Sequence, residues 1–277
     1  MDLRLLVAYD GTNFSGYQIQ PDQRTVQGTL EAALERITQH QVRIRAAGRT
    51  DAGVHALGQV VSIPFESAEG LDPELLMRAM PSLLPSDVAV LDAQAGPEGF
   101  DARRSAQWRS YAYLLWAAQA PNPLYRRFAQ WTADRVDTRV LNEALSTVVG
   151  THDFSSFGRL RDDQTPLRRV IEATAVMDGP FIRIRITGES FLHQMVRSLV
   201  GTALEVATGR RPISWMREVL EARDRAAAGP VAAPHGLALT DVGYRDVDWP
   251  RRDPVAWPWS DRVVCHAEGT TFNRECA

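Results

Sequence analysis

Apolar and polar positions change period several times along the chain, and each change marks an element. Leu3–Tyr9 reads as a strand. Thr25 can then cap a helix whose apolar residues Val26, Leu30, Ala33, Leu34 and Ile37 share one face at helical spacing. From Val42 to Ala47 the period falls to two, with Val42, Ile44 and Ala46 on one side and Arg43 and Arg45 on the other. A Gly-bounded loop follows, then a strand near Leu57–Phe65, a short helix around Pro73–Met80 and a strand at Val88–Leu91. The order is β-α-β-β-α-β.

The same order recurs. A strand at Trp108–Trp116 precedes a helix near Val140–Val149, and paired strands at Val170–Met177 and Phe181–Thr187 meet at the turn Asp178-Gly179-Pro180. A long helix from Phe191 to about Ala207, a second from Ser214 to Arg223 and a last strand near Leu237–Tyr244 complete the set. Residues 1–99 and 100–244 therefore read as two ferredoxin-like halves of an α+β protein. Their edge strands could join in one mixed sheet, with helices on one face and the other face left to line a cleft. The duplication rests on element order, since no repeat is visible in the residues themselves. Past Tyr244 the periodicity fades. Residues 245–277 hold three of the seven tryptophans and three of the sixteen prolines, which predicts a poorly structured extension.

Charge first points away from nucleic acid and then back toward it. The net charge is −3, but its distribution is uneven. Residues 1–99 carry seven arginines against thirteen acidic residues, 100–211 carry sixteen against eleven, and 212–277 carry eight against ten. The basic middle third could follow a phosphate backbone; the plainer alternative is a set of solvated faces that happen to carry arginine. All 31 basic residues are arginine, which excludes a Schiff-base lysine, a phosphate-loop lysine and a lysine general base. A base-composition bias in the gene would leave the same mark. No apolar run approaches membrane-spanning length, and the apolar stretch before Asp10 is too short for a signal peptide. The two cysteines, Cys265 and Cys276, are too few for a zinc cluster, and a reducing cytoplasm is expected.

Candidate chemistry concentrates in Ala47-Gly48-Arg49-Thr50-Asp51-Ala52-Gly53-Val54-His55. One carboxylate stands in a tight loop between glycines, which permit positive φ and close approach of a ligand. Arg49 and Thr50 offer a charge and a donor that could keep Asp51 ionised. Taken alone, an aspartate in a turn is more often structural.

The order of motifs changes that reading. Tyr9-Asp10-Gly11 with Phe14, Gly16 and Gln18-Ile19-Gln20 leads to the GRTDAGVHA segment. Phe100-Asp101-Ala102-Arg103, Ser105-Ala106 and Arg109-Ser110-Tyr111-Ala112-Tyr113 come next. Gly150, Asp153-Phe154-Ser155-Ser156-Phe157, Thr165-Pro166 with Arg168, and Phe191-Leu192-His193-Gln194-Met195-Val196-Arg197 ending at Gly201 follow. Gly236-Leu237 with Leu239, Val242 and Tyr244 closes the series. From about residue 3 to 244 the chain resembles the tRNA pseudouridine synthase A (TruA) family, with GRTDAGVHA the most specific piece.

The resemblance implies the pseudouridine synthase fold and a cofactor-independent isomerisation of uridine at positions 38, 39 and 40 of the tRNA anticodon stem-loop. It implies Asp51 as the catalytic residue, Arg197 as its ion-pair partner, and Tyr111 as the aromatic that stacks on the target base. Arg49 resembles the family's base-flipping residue, while Arg103 and Arg168 are expected to bind substrate. It also implies a homodimer acting on tRNA in the cytoplasm, with no metal and no membrane. Without the resemblance, Tyr111 and Tyr113 share a strand face and either could be core, and Arg197 could be an exposed helical arginine. His55 and His193 read as structural or RNA-contacting. Tyr17 stands where the family commonly has tryptophan, and Pro81-Ser82-Leu83-Leu84-Pro85 lacks asparagines often found there, which touches substrate positioning more than chemistry. Two rivals belong to other classes. A catalytically inactive tRNA-binding or chaperone module would bind without isomerising, and a glycoside hydrolase would need a second carboxyl that the motif set does not supply.

Overall fold

A computed structural model describes residues 2–159 and 165–245. The extension read from residue 245 onward, with both cysteines, lies outside the described residues apart from Arg245. The first half runs β1 (Leu3–Tyr9), α1 (Val26–Thr38), β2 (Arg45–Ala46), β3 (His55–Ile63), α2 (Pro73–Leu83) and β4 (Val88–Ala95). The second runs β5 (Ala106–Ala117), β6 (Gln130–Thr132), α3 (Thr138–Ser146), β7 (Gly150–Asp153), β8 (Leu167–Asp178), β9 (Phe181–Gly188), α4 (Met195–Ala207), α5 (Trp215–Ala222) and β10 (Leu237–Tyr244).

One mixed sheet holds all ten strands of the described residues, in the order β4-β1-β3-β10-β5-β9-β8-β7, with β2 on β3 and β6 on β5. Within each half the spatial order is fourth, first, third, second: β4-β1-β3-β2, then β10-β5-β9-β8. This is the ferredoxin-like order twice over, an α+β architecture consistent with the pseudouridine synthase fold. The halves join where β10 runs parallel to β3, pairing Ala238 with His55 and Leu239 with Ala56. Backbone approach at this seam is close: a Cβ on Gly58 would stand 2.3 Å from the Thr240 carbonyl oxygen.

Local chemistry explains the element starts. Thr25 accepts from the Gly28 amide to cap α1, and Asp72 accepts from Leu75 at 2.9 Å with Pro73 in the first turn of α2. Asp137 caps α3 through Arg139 and Val140. The apolar positions read after Thr25 are buried at Leu30 and Leu34 of α1, as are Leu76 and Met80 of α2 and Leu141 and Leu145 of α3.

Three departures are instructive. The alternation holds in burial from Val42 to Arg45 and breaks at Ala46 and Ala47, of which Ala47 is the buried one, and only Arg45 and Ala46 pair with β3. The Ile44 amide instead donates to the Glu31 carboxylate of α1, so a helix side chain replaces the ladder. Helix α4 starts at Met195 rather than Phe191, because Gln194 takes a left-handed φ of 63° and turns the chain into it. Finally, β6 and β7 are too short to leave a period in the sequence.

Candidate active site

Asp51 stands in the loop that leads into β3, the first-half strand at the seam. Strand register then brings β5 alongside: Leu239 of β10 pairs with Ala56 on one side and Tyr111 on the other. Tyr111 therefore reaches the Asp51 loop through two strand pairings. A Cβ added at Gly48 would lie 3.4 Å from its hydroxyl.

The loop is held from within the core. Tyr9 and Thr50 share a hydroxyl hydrogen bond of 2.8 Å, and the Gln59 amide donates to the Gly48 carbonyl at 2.7 Å. The Gly48 amide donates back to Gln59 at 3.3 Å, and Tyr17 donates its amide to the Thr50 carbonyl at 3.0 Å. Burial pushes the Tyr9 phenol up to about 12, against the opposing effect of its bonds to Thr50 and Gln59. Thr50 thus anchors the loop to Tyr9 instead of serving Asp51, as its position in the motif suggested. Gly53 takes φ +77° to complete the turn.

The cation beside Asp51 comes from 146 residues away. Arg197, in the first turn of α4, donates from Nη1 to Asp51 Oδ2 at 2.9 Å. Its Nε donates to the Ala232 carbonyl at 2.8 Å, and the Ala232 amide donates to the Arg197 carbonyl at 3.1 Å, so side chain and backbone are fixed by one residue. The other oxygen, Oδ1, lies 3.3 Å from His193 Nε2. Side-chain exposure grades outward: 12% for Arg197, 20% for Asp51 and 50% for His193. One carboxylate oxygen is locked to a largely buried guanidinium, and the other faces a half-exposed imidazole. Because α4 supplies Arg197, the site forms at that helix's N-terminal end.

Tyr111 is only 8% exposed, edge-on to Phe191 with ring centroids 5.3 Å apart. Burial, with a smaller contribution from the Tyr9 and Asp51 charges, raises its pKa well above that of free tyrosine, so the phenol is neutral near pH 7. Tyr113, on the same strand face, is fully buried; its hydroxyl lies within hydrogen-bonding distance of both the Gln130 side chain and the Ala233 carbonyl, which marks it as core.

The remaining positions lie further out. Arg49 is exposed next to Asp51, and Arg103 is exposed with its amide donating to Asp101 at 2.9 Å. Arg168 is partly buried, donating to the Thr165 and Leu167 carbonyls at 2.6 and 2.7 Å, and burial lowers its pKa. His55 is structural: Nδ1 accepts from the Gly11 amide at 3.0 Å, so the ring is neutral with its proton on Nε2. Burial lowers the His55 pKa, while nearby Asp10 opposes the shift.

Two site residues escaped sequence reasoning. His193 was left undecided, and helical spacing from Arg197 could not have placed it, because the left-handed Gln194 separates it from α4. Arg109 drew no role, although an arginine two residues before Tyr111 in a largely apolar strand is itself a signal. Among the described residues, no group of three His, Cys, Asp or Glu could hold a metal ion, and no helix is long and apolar enough to cross a membrane.

A family model described as tRNA pseudouridine synthase matches residues 5–103 and 144–245. Asp51 and Arg197 fall within the matched stretches, and Tyr111 lies between them. A protein of Geobacillus kaustophilus (strain HTA426) named tRNA pseudouridine synthase A is 41% identical over 246 residues, covering 88% of this chain and 95% of its own length. Proteins of the same name show similar agreement. The one from Ralstonia nicotianae (strain ATCC BAA-1114 / GMI1000) is 42% identical over 249 residues, covering 88% of this chain and 90% of its own. The one from Myxococcus xanthus is 40% identical over 247 residues, covering 88% and 92%.

Proposed function

The chain belongs to the tRNA pseudouridine synthase family, an enzyme family that isomerises uridine in tRNA, and we propose that it acts at positions 38, 39 and 40 of the anticodon stem-loop with Asp51 as its catalytic carboxylate. One observation supports this reading above the others: Asp51 has one oxygen held at 2.9 Å by Arg197 and the other turned toward half-exposed His193.

The reaction breaks the N1–C1′ bond, turns the uracil, and joins C5 to C1′; C5 loses a proton and N1 gains one. The departing uracil delocalises its charge over the ring, so the step calls for neither a metal nor a redox cofactor. A carboxylate can attack C1′, add to C6, or remove the 2′ proton. All three routes require the same thing of Asp51, namely an ionised group with one oxygen available to substrate. Arg197 provides for the first by charge and orientation. The outward-facing Oδ1 provides for the second, with His193 yielding to the nucleotide as it enters.

The uridine reaches this pocket by leaving its stack, and Arg49, exposed beside Asp51, fills the space it vacates. A planar guanidinium suits that task. Tyr111 forms the floor on which the base comes to lie. Its neutral phenol near pH 7 suits an aromatic surface better than a phenolate base. Arg103 and Arg168 meet the phosphate backbone, and two copies of the chain bind each tRNA as a homodimer.

Carbodiimide labelling of pseudouridine followed by primer extension tests the proposal on unmodified tRNA. Wild-type protein should give stops at positions 38–40, and Asp51→Asn should give none. Stops confined to another arm of the tRNA would overturn the site assignment, and unlabelled but tightly bound tRNA would favour the inactive binding module.

A further inference from the structure

We infer that Arg109 is the positioning residue that sets the separation between the Asp51 loop and the segment carrying His193 and Arg197, an assignment that rests on Asp51 being the reacting group. The Arg109 residue is 9% exposed, and every hydrogen bond of its guanidinium goes to a backbone carbonyl. Nε and Nη2 both donate to Ala47, at 3.1 and 2.8 Å. Nη1 donates to Glu189 at 2.8 Å and to Ala106 at 3.2 Å, while Nη2 also donates to Arg103 at 2.7 Å.

The sequence positions of those carbonyls give the arrangement its meaning. Ala47 precedes Asp51 by four residues, and Glu189 precedes His193 by four. Arg109 itself precedes Tyr111 by two on the same strand. A single planar group therefore ties together the three stretches that carry the carboxylate, its two partners and the aromatic floor. Two donors on the Ala47 carbonyl also restrain the direction of the loop as well as its distance.

Burial lowers the Arg109 pKa, with the nearby Tyr111 and Tyr244 opposing the shift. A buried cation retained only for packing could be replaced by an apolar side chain of similar size at little cost. Here replacement would strip several carbonyls of their donors, and those carbonyls belong to the loops that must be placed. Lysine would not substitute. Its donors radiate from a single nitrogen, whereas the guanidinium fork spreads five across a plane. A displacement of about 1 Å between reacting groups can cost on the order of 100-fold in rate.

The test compares wild type, Arg109→Lys, Arg109→Met and Asp51→Asn by steady-state kinetics on unmodified tRNA, with amide hydrogen exchange on each folded protein. For Arg109→Lys we expect kcat to fall on the order of 10- to 100-fold with KM for tRNA within about twofold of wild type. Exchange should quicken at residues 47–54 and 189–194 while β1 and the middle of β9 keep their protection. Arg109→Met should show the same pattern more strongly; if it does not fold, Arg109→Lys carries the comparison. Wild-type kcat in Arg109→Lys would overturn the inference, as would a loss of kcat matched by faster exchange throughout the sheet. An active Asp51→Asn would instead overturn the underlying assignment of the carboxylate, whatever the Arg109 variants do.

Discussion

The two oxygens of Asp51 are held unequally, and that inequality is testable residue by residue. Oδ2 meets the guanidinium of Arg197, a side chain that is 12% exposed and donates from Nε to the Ala232 carbonyl, while Oδ1 meets an imidazole at 3.3 Å that is half in solvent. Removing a preorganised electrostatic partner typically costs about 100-fold or more in kcat, so Arg197→Met should lose roughly that much. His193→Ala should lose less, because the nucleotide has to displace that contact in any case. Steady-state kinetics on the two variants will rank them, and a larger loss at His193 would reverse the roles. A second residue-scale prediction concerns stability. Burial depresses the folded-state pKa of His55 below the ordinary value, as burial and the Arg197 charge do for His235. Above about pH 6.5 both folded and unfolded chains are neutral at these sites and their stabilising contribution is complete. As pH falls below that value, the unfolded chain takes up protons that the folded chain refuses, and stability is lost. Thermal midpoints measured from pH 7.5 to 5.5 should therefore decline, and His55→Gln, which retains a hydrogen-bonding group at that position, should decline less.

At the level of elements, the strands and helices that bury one face were legible because their period is set by that burial. Leu3–Tyr9 and the capped helix after Thr25 are examples. What could not be read was set by partners distant in sequence. Ile44 leaves the ladder because Glu31 is there to accept its amide. Residues 191–194 carry a helical apolar pattern, yet Gln194 adopts a left-handed conformation and the stretch instead presents His193 to Asp51. Local preference gave way at the candidate site itself, where packing between halves decides the backbone. Asp51, Tyr111 and Arg197 were identifiable from motif resemblance; the Arg109 carbonyl cluster was not, because four backbone oxygens leave no mark in a sequence. Helix α4 owes its placement to one such close approach. A Cβ on Gly201 would stand 1.8 Å from the Pro230 carbonyl oxygen, so the helix and the 229–232 segment cannot both keep their positions. Gly201→Ala should destabilise the fold by about 1–3 kcal/mol and lower kcat as well, since Ala232 in that segment orients Arg197. Denaturant unfolding and activity of the folded fraction will check both; an unchanged kcat would detach Ala232 from the site.

For the whole molecule, electrostatics follow from an arginine-only basic complement. The net charge of −3 conceals the excess of sixteen arginines over eleven acidic residues between 100 and 211, so tRNA affinity should fall linearly in log–log terms as salt rises. Exposed Arg103, changed to alanine, should reduce the magnitude of that slope by about one. Arg168, already spending hydrogen bonds on its own strand, should change it less. Light scattering should give twice the 30.8 kDa chain mass for the proposed homodimer, and under the proposed Asp51 chemistry chelator should leave turnover unchanged. The most direct test of the central assignment is release of tritium from C5-labelled uridine in unmodified tRNA. Wild-type protein should release it, and Asp51→Asn should release it more slowly by about 1,000-fold or more while remaining folded and bound to tRNA. Substantial release by Asp51→Asn would contradict the assignment.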